Sequence, residues 1–206
     1  MPDLLTLPRA AAAAALGAGT LLRGARVFHP RGSGRAARVL VHGSPDRGGR
    51  PWGAALLDRA AEHEGVVRLS RGAGLPHPLP DVEGLALRLP GMGVGGEPLD
   101  LLVNSAWRFA FAPAALSRTW SAILPHRTGT GRLVLLGARP RPGGFDLLAA
   151  SPTGPWRPWG ELALGAPLPA EELRFRPTTG ADDLVPVPLF RTLRAWSYGA
   201  SQALRP

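Results

Sequence analysis

The stretch GLALRLPGMGVGGEPLDLLVNS (84–105) decides the fold. Its two flanks, GLALRLP (84–90) and LDLLVNS (99–105), place apolar and polar residues in near alternation, the pattern of a strand buried on one face. Between them GMGVGGEPLD (91–100) supplies turn residues. Gly91, Gly93 and Gly96 imitate the spacing of a dinucleotide-binding loop. They precede an apolar strand rather than a helix, so no helix N-terminus waits for a phosphate. The stretch reads as two strands joined by a hairpin loop.

The same pattern recurs outward from this unit. ARVLVHG (37–43), GVVRLS (65–70), RLVLLGARP (132–140), FDLLAAS (145–151), GELALG (160–165) and EELRFRP (171–177) are short apolar runs bounded by Gly, Pro, Asn, Asp or Ser. WGAALLDRAAEH (52–63) and PAALSRTWSAIL (113–124) have helical spacing, and residues 8–23 are helical by propensity. The expected fold class is therefore α+β but mainly β: an antiparallel barrel with a few peripheral helices. An Ala-rich helix is expected within residues 1–23 and a single domain over 24–206, with no repeat or linker between.

Composition narrows the chemistry. The 24 basic residues are all arginine, and the formal charge of +9 calls for an anionic partner. The arginines are scattered and do not interleave with aromatics, which argues against nucleic acid. A small ligand bearing carboxylates or phosphates fits better. Cysteine is absent, so disulfides, thiolate metal sites and Cys nucleophiles are excluded. RAAAAAALGAGTLL (9–22) is too short to span a membrane and follows an acidic residue, Asp3. The expected location is cytoplasmic, with no membrane contact. His29, His42, His63, His77 and His126 form no HxH or HExxH pair, and no G-x-S-x-G elbow occurs. Tyr198, the single tyrosine, follows Arg194 by four residues near the chain end. A phenol beside a guanidinium ionises more readily, and a phenolate is a good ferric ligand.

Six short motifs stand in order: RVFHPRG (26–32), VRLS (67–70), DVEGLALRLPG (81–91), DLLVNSAWRFAF (100–111), ELRFRP (172–177) and the Arg194–Tyr198 pair. This series resembles the haem-binding core of the haem catalase family, which reads R-x-x-H-A-x-G, V-R-F-S, D-x-x-G-F-A-x-K-F, D-L-x-x-N, A-F-x-P and R-x-x-x-Y. The resemblance implies a catalase-like barrel holding haem b. It implies that His29 is the distal acid–base, that Asn104 positions the peroxide, and that Ser70 orients the imidazole. It implies Tyr198 as the axial iron ligand paired with Arg194, and Arg26, Arg68 and Arg205 as holders of the haem propionates. Three arginines aimed at two carboxylates suit bidentate, charge-assisted contacts.

The match thins between residues 112 and 159. Only 94 positions separate Asn104 from Tyr198, fewer than in the family. The family's N-terminal arm, wrapping region and following helical domain find no match. Its second Asn is Ser105, its downstream haem-facing aromatic is Ser117, the Pro after its tyrosine is Gly199 and a nearby His is Gln202. The expected activity is oxidation driven by hydrogen peroxide or a small hydroperoxide, of catalase, peroxidase or peroxygenase type, with a small organic reductant as a further partner. A monomer or dimer is expected. Two other readings stay open: a non-catalytic haem carrier or sensor, and a barrel that has lost haem.

Overall fold

The computed structural model describes residues 31–43, 50–72, 81–107, 110–111, 118–122, 125–170, 173–176 and 178–187, with backbone alone at Arg31, 106–107 and 110–111. The N-terminal helix expected at 1–23 lies outside these residues.

The strands are β1 (Arg31–Val41), β2 (Ala61–Arg71), β3 (Glu83–Leu89), β4 (Leu99–Trp107), β5 (Ala110–Phe111), β6 (Trp120–Ser121), β7 (His126–Thr128), β8 (Leu133–Arg141), β9 (Gly144–Ala150), β10 (Arg157–Leu168) and β11 (Leu184–Pro186). β1, β2, β3, β4, β6, β8, β9 and β10 pair in that order, each antiparallel to the next. β10 then pairs with β1, closing an eight-stranded barrel. The hairpin expected over 84–105 is present as β3 and β4, in register from Gly84↔Asn104 to Leu89↔Leu99.

Alternation decides which side chains enter the barrel. Paired residues share a face, and the odd-numbered positions of β2, β3 and β4 point inward: Val67, Leu85, Leu87, Leu89, Leu99, Leu101 and Val103 are all buried in one core. Val39 and Val41 of β1, Leu136 and Ala138 of β8, and Phe145, Leu147 and Ala149 of β9 join them. Trp120 and Phe145 meet inside this core at 5.3 Å with tilted rings, a favoured aromatic geometry. The interior is filled with apolar side chains, so any ligand site must lie on the outside of the wall.

Two segments with helical spacing fold otherwise. In 52–63 the described helix, α1, is a single turn at Ala55–Asp58. The Asp58 carboxylate accepts the backbone N–H groups of Trp52, Gly53 and Ala54 at 2.7, 2.7 and 3.1 Å, which ties the carboxylate back to the turn's entry. Residues from Ala61 onward are taken up by pairing with β1. The long-range ladder overrides a local propensity worth only tenths of a kcal/mol per residue (roughly 0–0.7). Within 113–124, residues 120–121 form β6 instead. The strand expected at 171–177 is, over 173–176, an irregular strap.

That strap crosses the outer face of β3 and β4. Arg88 and Asp100 are direct cross-strand partners there. Arg88 Nε and Nη2 donate to the two Asp100 carboxylate oxygens, each at 2.7 Å. The Asp100 carboxylate also accepts the Arg176 N–H at 2.6 Å. Asp100 N–H donates to Thr179 Oγ1 at 2.8 Å, and Arg88 also donates to the Arg174 carbonyl. The Phe175 ring lies under the guanidinium, 5.0 Å from its carbon. The Asp100 hydrogen bond raises the Arg88 pKa above its usual value, against the opposing effect of burial. Further on, Asp183 accepts the Ala55 N–H at 2.6 Å, β11 pairs with β7, and Val187 N–H donates to Pro125 O at 3.1 Å.

Candidate functional site

One register row runs around the barrel through Gly32 (β1), Ser70 (β2), Gly84 (β3), Asn104 (β4), Ser121 (β6) and Gly137 (β8). Ser70, Gly84, Asn104, Ser121 and Gly137 each follow an inward neighbour (Leu69, Trp120, Leu136) or stand next to one (Leu85, Val103), and Gly32 shares their face through its pairing with Ser70, so the row lies on the outer wall. The barrel thus brings two of the expected site residues, Ser70 and Asn104, onto one face, separated only by a glycine. Strands stand about 4.8 Å apart, which puts their backbones roughly 10 Å apart.

Asn104 is 6% exposed, and no hydrogen bond joins its carboxamide to another described residue. A buried amide has two donors and an acceptor to satisfy and normally finds partners within its fold. Its neighbour Ser105 behaves in the opposite way. It points into the barrel, is fully buried, and its Oγ accepts the Glu83 N–H at 2.9 Å. Ser105 therefore belongs to the inner face and adds nothing to the outer wall.

Ser70 Oγ donates to the Gly84 carbonyl at 3.4 Å, so this hydroxyl lies along the row. Arg68, two residues earlier on the same face, is 6% exposed. A Cβ at Gly32 would stand 2.7 Å from Arg68 Nη2 and 2.6 Å from the Leu69 carbonyl oxygen. The missing side chain at Gly32 is what lets this guanidinium lie across β1. His29, Arg26, Arg194, Tyr198 and Arg205 lie outside the described residues. Among the described residues no group of three or more His, Asp or Glu gathers to hold a metal ion, and no helix is long and apolar enough to cross a membrane.

Two members of the row escaped the sequence reading. Ser121 is fully buried beside Asn104, but it sits in a two-residue strand within a segment of helical spacing. Gly137 underlies the indole of Trp156, a contact between separate segments that no local pattern reveals.

Solved structures share this architecture. A fungal catalase superposes with a TM-score of 0.64 at 12% identity, covering 87% of this chain and 59% of its own. Catalase A from Saccharomyces cerevisiae gives 0.63 at 12%, with 87% and 60% covered. A bacterial catalase gives 0.62 at 13%, with 87% and 57% covered. The barrel is catalase-like. At these identities the likeness establishes the fold alone. The chain spans about three fifths of the length of those catalases. No protein-family model matches the sequence, and no curated protein matches it. The outer-wall row is accordingly a candidate site on a catalase-like barrel, with its chemistry argued from the residues.

Proposed function

We propose that this chain is a haem-dependent oxidoreductase acting on hydrogen peroxide or a small organic hydroperoxide, with haem b held against the outer wall of the barrel. The observation that carries this reading is the buried Asn104 carboxamide, unsatisfied by the described residues and in register with Ser70. The fit of the group rests on three features. Asn104 offers an N–H to an oxygen outside the wall. Gly84, between Ser70 and Asn104 in the row, adds no side chain there. Arg68, packed over Gly32, brings a guanidinium to the same face, as a haem propionate requires.

Chain length supports the two residues outside the description. His29 is three residues before Gly32, so at most ~10 Å of chain separates it from the row. Val187 is fastened to Pro125, four residues beyond Ser121. Tyr198 follows Val187 by eleven residues, a reach of roughly 16 Å as helix and up to ~40 Å extended. Both therefore have the tether to meet a ligand on the outer wall.

When bound, haem supplies the two-electron redox chemistry of O–O cleavage. The rest falls to the chain. The neutral His29 imidazole takes the proton from one peroxide oxygen and returns it to the other. The Asn104 carboxamide holds the peroxide by its N–H, and Ser70 orients the imidazole. Tyr198 would hold the iron as phenolate, with Arg194 balancing its charge, and Arg26, Arg68 and Arg205 would take the propionates.

The test is the absorption spectrum of protein expressed with haem precursor. A Soret band with tyrosinate-type ferric features is expected, and Tyr198→Phe should abolish stable uptake. His29→Ala should retain haem and lose peroxide turnover by about 10²–10⁴-fold. A protein that takes up no haem refutes the reading. Haem bound without any peroxide turnover in the wild type identifies a carrier or sensor instead.

A further inference from the structure

The outer wall carries an aromatic feature that the reading above leaves unused. Gly137 pairs with Ser121, which pairs with Asn104. A Cβ at Gly137 would stand 2.8 Å from Cζ3 and 3.0 Å from Cη2 of Trp156. The benzo edge of the indole therefore rests on the bare backbone of β8. It does so on the outer face, because the flanking Leu136 and Ala138 point into the core. Two strand spacings, about 10 Å, separate this seat from Asn104. A porphyrin-sized ring system centred over the amide, with a van der Waals contact beyond its edge, would span that separation.

Trp156 is carried by the turn between β9 and β10, where Gly154 N–H donates to the Ser151 carbonyl at 3.1 Å. The indole is only half-buried, so part of it faces away from its seat on the wall. A large side chain laid on a glycine has its depth fixed by the backbone beneath it. Any side chain at 137 would lift the ring off the wall.

We infer that Trp156 is a ligand-contact residue, its indole forming the aromatic margin of the outer-wall site and packing against a flat conjugated ligand centred over Asn104. The identity of that ligand as haem rests on the proposed function. The contact itself rests on the Gly137 seat and its place in the row. Aromatic contact with a conjugated ring adds to the area it buries, and losing it lowers affinity without altering the barrel.

The test is a titration of haem-free protein with haemin, following the Soret band for dissociation constant and peak position. Trp156→Ala should weaken binding about tenfold or more and shift the band, since the ligand edge then meets water. Trp156→Phe, which keeps a ring on the same glycine, should restore most of the affinity. Melting of the haem-free variants checks that each is folded. If wild type binds haemin and Trp156→Ala binds it within threefold, with the same band, this inference is wrong while the haem reading stands. If wild type takes up no haemin, the haem reading fails and this inference falls with it.

Discussion

Replacing Arg88 by Met tests the clasp that ties the 173–176 strap to the barrel. In the folded chain the Asp100 side chain is 1% exposed and that of Arg88 25%. The substitution removes two charge-assisted hydrogen bonds of 2.7 Å and leaves the carboxylate with the Arg176 N–H as its remaining clasp donor. Stranding one charge of a buried pair costs about 3–5 kcal/mol. Water can partly reach the site vacated by a quarter-exposed guanidinium, so the lower end, about 3 kcal/mol, is expected. The lost stacking on Phe175 is a smaller part, roughly 0.5–1 kcal/mol. In a domain of this size that lowers Tm by about 6–12 °C. Asp100→Asn should cost about 2 kcal/mol, because the amide still accepts the Arg176 N–H. The Arg88→Met/Asp100→Asn double variant should cost clearly less than the sum, with a coupling of about 2 kcal/mol. Urea unfolding of the four proteins gives the cycle. Single costs below about 1 kcal/mol, or additivity within about 0.5 kcal/mol, would refute the clasp as a coupled buried pair.

Five further outcomes follow from the contacts described above. Asn104→Leu should change stability by no more than about 1 kcal/mol, since no described residue hydrogen-bonds the amide it removes, yet it should eliminate peroxide turnover; Ser105→Ala should instead lose about 1–2 kcal/mol in chemical unfolding, because it strands the Glu83 N–H. Gly32→Ala forces the new methyl into the Arg68 guanidinium and should cost about 1–3 kcal/mol by thermal melting. Leu87→Ala, in the middle of the barrel core, should cost about 2–5 kcal/mol. The Arg88 pKa is raised in the folded state, so its contribution is full below the unfolded guanidinium value and is lost only as pH rises through the folded one; unfolding curves of wild type minus Arg88→Met should thus show the same difference from pH 7 to about 10, and a difference that fades within that window would contradict the assignment.

The sequence reading reached the barrel because its evidence was local. Alternation over 84–90 and 99–105 records which face of each strand is buried, and that face is the core. Motif order singled out Ser70 and Asn104 for separate roles, and the strand register sets both on the outer face. It failed where structure depends on partners far along the chain. The run 52–63 has helical spacing, but β1 recruits its last three residues as the start of a strand. Ser121 belongs to the site only through pairing with β4, and a two-residue strand leaves no periodic trace. The strap at 173–176 alternates like a strand, yet its backbone is engaged by the Arg88 and Asp100 side chains rather than by a neighbouring ladder. His29 and Tyr198 rest on resemblance and on tether length, and the experiments above address them directly.

Because Asn104 faces out while Val103 and Ser105 face in, the wall tolerates no change of count. Deleting or inserting one residue between Leu99 and Val103 would rotate everything beyond it by half a turn. The carboxamide would be driven into the apolar interior, and Val103 or Ser105 would take its place outside. Variation in chain length along this lineage should therefore fall in the 91–98 loop or beyond the strand ends. Within β4 itself, sequence drift is confined to exchanging one side chain for another.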